Sequence, residues 1–84
     1  MTDEQVLDVL RGAIATVLEI DPAGLQRGTR FVDDLSADSL ALVEIVEIVE
    51  EDLGKQRPGF RIDDEDLDRL LTLGDAVDYA VARL

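Results

Sequence analysis

The chain has two serines, Ser36 and Ser39, one lysine, Lys55, and neither histidine nor cysteine. A serine used as a nucleophile needs a base beside it to take its proton. With no histidine anywhere and Lys55 placed in a later loop, this chain cannot activate its own hydroxyls, which argues against an enzyme. Carboxylates are abundant in "VDD" and "IDDEDLD", but no Asp-x-Asp-x-Asp-Gly loop with a distal glutamate accompanies them, so no metal site is expected. The segment that stands out is "FVDDLSADSLALVEIVEIVEED", residues 31–52. In it Ser39 follows a run of aspartates and opens a stretch mixing apolar and acidic residues.

The elements that must position Ser39 are limited by size. Eighty-four residues make one domain, spanning 1–84, and a chain this short buries only about 60 % of its unfolded surface. Without cysteine there is no disulfide framework, so the fold rests on packing. An apolar content of 46 % indicates a globular domain despite the charge. Eight cations against twenty carboxylates give a net charge of −12. That field repels nucleic acid and anionic membranes and favours encounters with basic protein surfaces. The N-terminus is acidic where a signal peptide would be basic. The longest mostly apolar stretch, Leu40 to Val49, is broken by Glu44 and Glu47 and is too short to span a bilayer. A cytoplasmic, soluble monomer without membrane insertion is expected.

Helical periodicity dominates the pattern. Leu7, Leu10, Ile14, Val17 and Leu18 form one apolar stripe, Thr2 and Gln5 read as a capping box, and Asp21-Pro22 is a stop signal, which predicts a helix over 3–19. Residues 20–38 carry no sustained period, and Ile20, Leu25, Phe31 and Leu35 are the expected pins of this long connection. A second helix is expected over 39–53, ended by Gly54 and followed by the loop "GKQRPGFR". A short helical segment is expected near "DDEDLDRL". A last helix is capped by Thr72 with Asp75 and continues through Ala76, Val77, Ala80, Val81 and Leu84. No stretch alternates like a strand pair. The fold class is all-α, a small antiparallel bundle of three long helices and one short one.

Stepping about 100° per residue from Ser39 places Ile45, Val49, Leu42, Leu53 and Val46 on one arc, the stripe that must be buried. Ser39, Leu40, Val43, Glu44, Glu47, Glu50 and Glu51 spread over the other side. Two readings fit the residues alone. Asp38 or Ser39 is an ordinary N-cap and the acidic face is merely solvated. Alternatively, Leu40 and Val43 rimmed by carboxylates make a docking surface with Ser39 at its head.

The same residues resemble the modification segment of acyl carrier proteins, whose mark is Asp-Ser-Leu at the head of the second helix, here Asp38, Ser39 and Leu40. The likeness extends to "FVDDL" upstream, Val43-Glu44, and "IDDEDLDRLLTLGDAVDYAV", and covers essentially the whole chain. It implies that a phosphopantetheinyl transferase attaches 4′-phosphopantetheine from coenzyme A to Ser39, next to Asp38 and Leu40. The arm would carry acyl groups as thioesters between enzymes of fatty-acid or polyketide-type biosynthesis. The resemblance further implies partner enzymes whose basic patches meet Leu40, Val43, Glu44, Glu47, Glu50 and Glu51. It also implies an interior that holds the acyl chain, with Val43, Val46, Ile62, Leu67 and Leu71 as candidate lining or as ordinary core.

Three departures stand against the family pattern. Ala41 replaces a frequent acidic residue, Glu47 replaces a common large apolar one, and the loop with Lys55, Arg57 and Arg61 is longer than in fatty-acid carriers. That loop reads either as a recognition element for a dedicated partner or as a tolerated surface insertion. A peptidyl carrier and an unmodified acidic helical adaptor are the alternatives.

Overall fold

The computed structural model describes all residues, 1–84. Three α-helices, α1 (Asp3–Leu18), α2 (Ser39–Gly54) and α3 (Leu73–Arg83), are joined by two connections that each carry a 3-10 segment, Pro22–Gly24 and Asp64–Arg69. The longer 3-10 segment is the fourth, short helix of the bundle. α1 packs against both α2 and α3.

Capping fixes where the helices begin. Thr2 Oγ1 accepts from the Gln5 N–H at 3.2 Å while Gln5 Oε1 accepts from the Thr2 N–H at 2.8 Å. Thr72 and Asp75 repeat the arrangement at the head of α3. These reciprocal bonds satisfy N–H groups that a helix start leaves open. α1 ends one residue earlier than its sequence predicts, because Glu19 turns left-handed at φ 55°. A 3-10 turn then forms on Pro22, with Asp21 Oδ1 accepting from the Ala23 N–H.

Seventeen apolar residues form one core with no buried polar side chain. Leu7, Leu10 and Ile14 are buried as the stripe requires, joined by Val6 and Ala13, while Val17 and Leu18 are half-buried at the end of the helix. Leu25 and Phe31 are buried pins of the long connection and Leu35 is half-buried. Ile20, expected among them, is exposed. It directly follows the left-handed residue that ends α1, where the chain turns out of the helix.

Backbone bonds hold this connection as much as side chains do. Phe31 N–H donates to Leu71 O, Leu73 N–H to Thr29 O and Gly74 N–H to Arg27 O, at 3.1, 2.9 and 2.8 Å, around an isolated bridge between Arg30 and Thr72. The close approach at Gly74 leaves little room for a side chain: an added Cβ would stand 3.1 Å from Arg27 O, tighter than ordinary contact, and a larger group would press further on that backbone. Gly12, on the exposed side of α1, has open space instead. Gly12→Ala should therefore stabilise the fold by about 0.5–1 kcal/mol. Gly74→Val should destabilise it by about 1–3 kcal/mol. Thermal melts of the two variants should move in opposite directions.

The 54–61 loop is tied down as well. Phe60 is buried, Arg57 N–H donates to Leu53 O at 2.9 Å, and Phe60 N–H donates to Arg57 O at 3.0 Å. Gly59 supplies the left-handed turn between them at φ 87°. No helix is long and apolar enough to cross a membrane.

Candidate functional site

The N-cap of α2 is Asp38, whose Oδ1 accepts from the Ala41 N–H at 2.8 Å and whose carbonyl accepts from the Leu42 N–H at 3.0 Å. Capping by the aspartate leaves the next residue free. Ser39 is exposed, and its hydroxyl makes no hydrogen bond within the chain. The N–H groups of Ser39 and Leu40 also find no acceptor in the chain. A helix start with open N–H groups carries partial positive charge and favours an anion. Asp38, the nearest carboxylate in sequence, is engaged with the helix end.

Below Ser39, Leu40 is 67 % and Val43 41 % exposed. Glu44, Glu47 and Glu51 are exposed on the same helix. Glu50, grouped with them by the helical wheel, is placed differently. Its Oε2 accepts from the Ile62 N–H at 2.8 Å and from Arg61 Nε at 3.3 Å, and only 19 % of its side chain is exposed. It lies about 20° from Ser39 on an ideal wheel, beside the buried arc, and the chain returning through residues 60–62 covers it. Glu50 thus fastens the loop to α2 rather than standing free on the acidic face.

An apolar cavity of about 30 Å³ lies in the core. Val46, Ile62 and Leu67 line it, together with Leu42, Ile45 and Leu70. Val43 and Leu71, the other two expected lining residues, do not. Val43 points outward from α2. Leu71 is 65 % exposed, because its N–H is turned to Asp75 Oδ2 and its carbonyl to Phe31 N–H. Leu71 instead lines an open surface groove of about 430 Å³ with Val32 and Asp68. Phe31, Leu42, Leu67 and Leu70 line both the groove and the cavity and form the wall between them.

Three ionisable groups near this site are shifted: Asp34, its partner Arg30, which that carboxylate raises, and Tyr79. Asp34 is held below its ordinary value of 3.8 by the Arg30 N–H it accepts, at 2.8 Å, and by the Arg30 guanidinium. A depressed aspartate stabilises the fold fully above its unfolded value and loses that contribution as the pH falls through the folded one. Asp34→Asn should therefore lower the melting temperature at pH 7, and its difference from wild type should close below the ordinary aspartate range. Tyr79 is raised, first by burial and then by its bond to Asp66. No group of three or more carboxylates is placed to hold a metal ion.

A helical bundle presenting a free serine hydroxyl at a helix head is the build of a carrier domain, and residues 8–80 match the family model described as the phosphopantetheine attachment site. An acyl carrier protein of Lactobacillus acidophilus is 33 % identical over 79 residues, 94 % of this chain and 92 % of the relative. One from Acidothermus cellulolyticus is 39 % identical over 79 residues, 94 % and 88 % of the two chains. The meromycolate extension acyl carrier protein of Mycobacterium leprae is 38 % identical over 79 residues, 94 % of this chain and 64 % of that one. Among solved structures, the acyl carrier protein from Enterococcus faecalis matches over the full length of both chains, with a TM-score of 0.76 and 33 % identity. The chain belongs to the acyl carrier protein family. Its cofactor is phosphopantetheine, and it is a carrier rather than an enzyme.

Proposed function

We propose that Ser39 is the attachment point and that the chain carries acyl intermediates of fatty-acid or polyketide-type biosynthesis. The observation behind this reading is that Asp38 takes the capping role, so the Ser39 hydroxyl stands exposed and unbonded at the head of α2. When bound, the pantetheine arm supplies a thiol that holds acyl groups as thioesters. The protein's own part is positional. The α2 N-terminus holds the phosphodiester by its dipole and open N–H groups. Leu40 and Val43 give visiting enzymes an apolar foothold, and Glu44, Glu47 and Glu51 attract their basic patches and speed encounter without adding much residence time. A phosphopantetheinyl transferase is the first of these partners, and acyl-loading and synthase enzymes follow. Val46, Ile62 and Leu67 offer an apolar interior.

The reading is tested by offering the pantetheine-bearing chain separately to an acyl-loading enzyme with acyl-coenzyme A and to an amino-acid-activating enzyme. Intact-mass measurement should record an acyl gain that neutral hydroxylamine removes. A gain with the amino acid alone would make the chain a peptidyl carrier.

A further inference from the structure

The interior cavity is far too small for the cargo that the proposed function assigns to it. About 30 Å³ is well below the roughly 150 Å³ of an apolar cavity that admits a benzene molecule. To admit an acyl chain, one wall must move. α1, α2 and α3 face the cavity with buried side chains such as Val6, Ile45, Val49 and Val77. The 3-10 helix Asp64–Arg69 faces it with half-buried Leu67 and contains no buried residue at all. It is the wall that apolar burial holds least.

Polar contacts to α3 hold it instead. The Tyr79 hydroxyl donates to Asp66 Oδ2 at 2.6 Å and accepts from the Asp63 N–H at 3.3 Å. Arg83 lies 3.5 Å above the centre of the Tyr79 ring and 3.6 Å from the same Asp66 oxygen. Only 19 % of the Asp66 side chain is exposed, so water competes weakly for this bond. One phenol on α3 thereby grips both the residue that precedes the 3-10 helix and a residue in its first turn.

We propose that Tyr79 determines chain-length specificity: its bond to Asp66 latches the 3-10 helix against α3 and sets how long an acyl group the interior admits. This rests on the acyl-carrier reading of Ser39. Tyr79→Phe removes the hydroxyl but keeps the ring and the Arg83 stack. In the unmodified chain, amide exchange over residues 64–70 should rise about tenfold or more, as losing the charge-assisted bond to Asp66 together with the longer one from the Asp63 N–H implies in a local opening. The buried centre of α1 should exchange as before. In acylated chains, protection of the thioester from hydroxylamine should extend to longer acyl groups, raising the long-to-short protection ratio severalfold.

A merely structural tyrosine would speed exchange in every helix and weaken protection equally at all lengths. Asp66→Ala, which also frees Arg83 and Arg69, should shift exchange and length profile in the same direction as Tyr79→Phe and at least as far, and the double variant should fall short of the sum of the two, since they share one bond. Asp66→Asn keeps an oxygen for the phenol and should retain most of the wild-type length profile. Unchanged exchange over 64–70 in Tyr79→Phe, or faster exchange with an unchanged length profile, overturns the proposal. If Ser39 takes no arm, the carrier reading and the length assignment fall together, while exchange in the unmodified chain still decides whether the latch exists.

Discussion

Ser39→Ala should abolish the mass gain that the wild-type chain shows with coenzyme A and a phosphopantetheinyl transferase, while Ser36→Gly should keep it. The two serines lie three residues apart, yet their surroundings differ in kind. Ser36 sits in the loop before α2 at φ 54°, with its N–H bonded to Val32 O at 2.9 Å. Its conformation is one that glycine adopts more easily, so Ser36→Gly should leave the fold intact. Ser39 is the first residue of α2, beyond the capping aspartate, with its hydroxyl free. Alanine there removes the acceptor oxygen and nothing that holds the structure. Stability should change by less than about 0.5 kcal/mol, as for a surface substitution without partners. Loss of modification together with an unchanged melt separates a lost attachment point from a lost fold.

The next largest effect is expected on the acidic face. Replacing Glu44 and Glu47 together by lysine reverses two exposed charges on the helix that begins at Ser39. Electrostatic steering changes association rates by about 10- to 1,000-fold in favourable cases. A fall of about ten- to a hundredfold in the transferase kcat/KM at low salt is the expected result, with helical content unchanged. Near 0.1 M salt, screening acts over about 10 Å, so the gap to wild type should narrow as salt rises. Equal rates for the two proteins at low salt would remove the steering role from these carboxylates. Glu50→Lys should behave differently, since its carboxylate is bonded to the Ile62 N–H and to Arg61; its main effect should be a loosened 54–61 loop and a lower melting temperature.

What could be read from the sequence was local. Thr2 with Gln5 and Thr72 with Asp75 announce helix starts because a capping box is written within four residues, and the α2 stripe of Ile45, Val49 and Leu53 follows from period alone. What could not be read depends on parts of the chain that meet only after folding. The bridge between Arg30 and Thr72 uses backbone groups that every residue carries, so no residue type marks it. Glu50 lies at the margin between buried and exposed arcs, and its role was decided by a loop returning from eleven residues away. Leu71 belongs to a generally apolar run, and the bonds at its own backbone turned its side chain outward. Tyr79 carried no signal beyond being the only tyrosine.

The site was legible in part for the same reason. Asp38 and Ser39 compete in sequence as caps, and residue preference alone does not choose between them. The fold assigns the cap to Asp38, which leaves Ser39 available.

The central claim is that this one hydroxyl takes the phosphopantetheine arm. Fragmentation mass spectrometry of the wild-type chain, after incubation with coenzyme A and a broad-specificity transferase, reads it directly. The account predicts a single added group on the peptide containing Ser39, localised to that residue. An added group on Ser36, or an unmodified chain under conditions that fully load a known carrier, contradicts it.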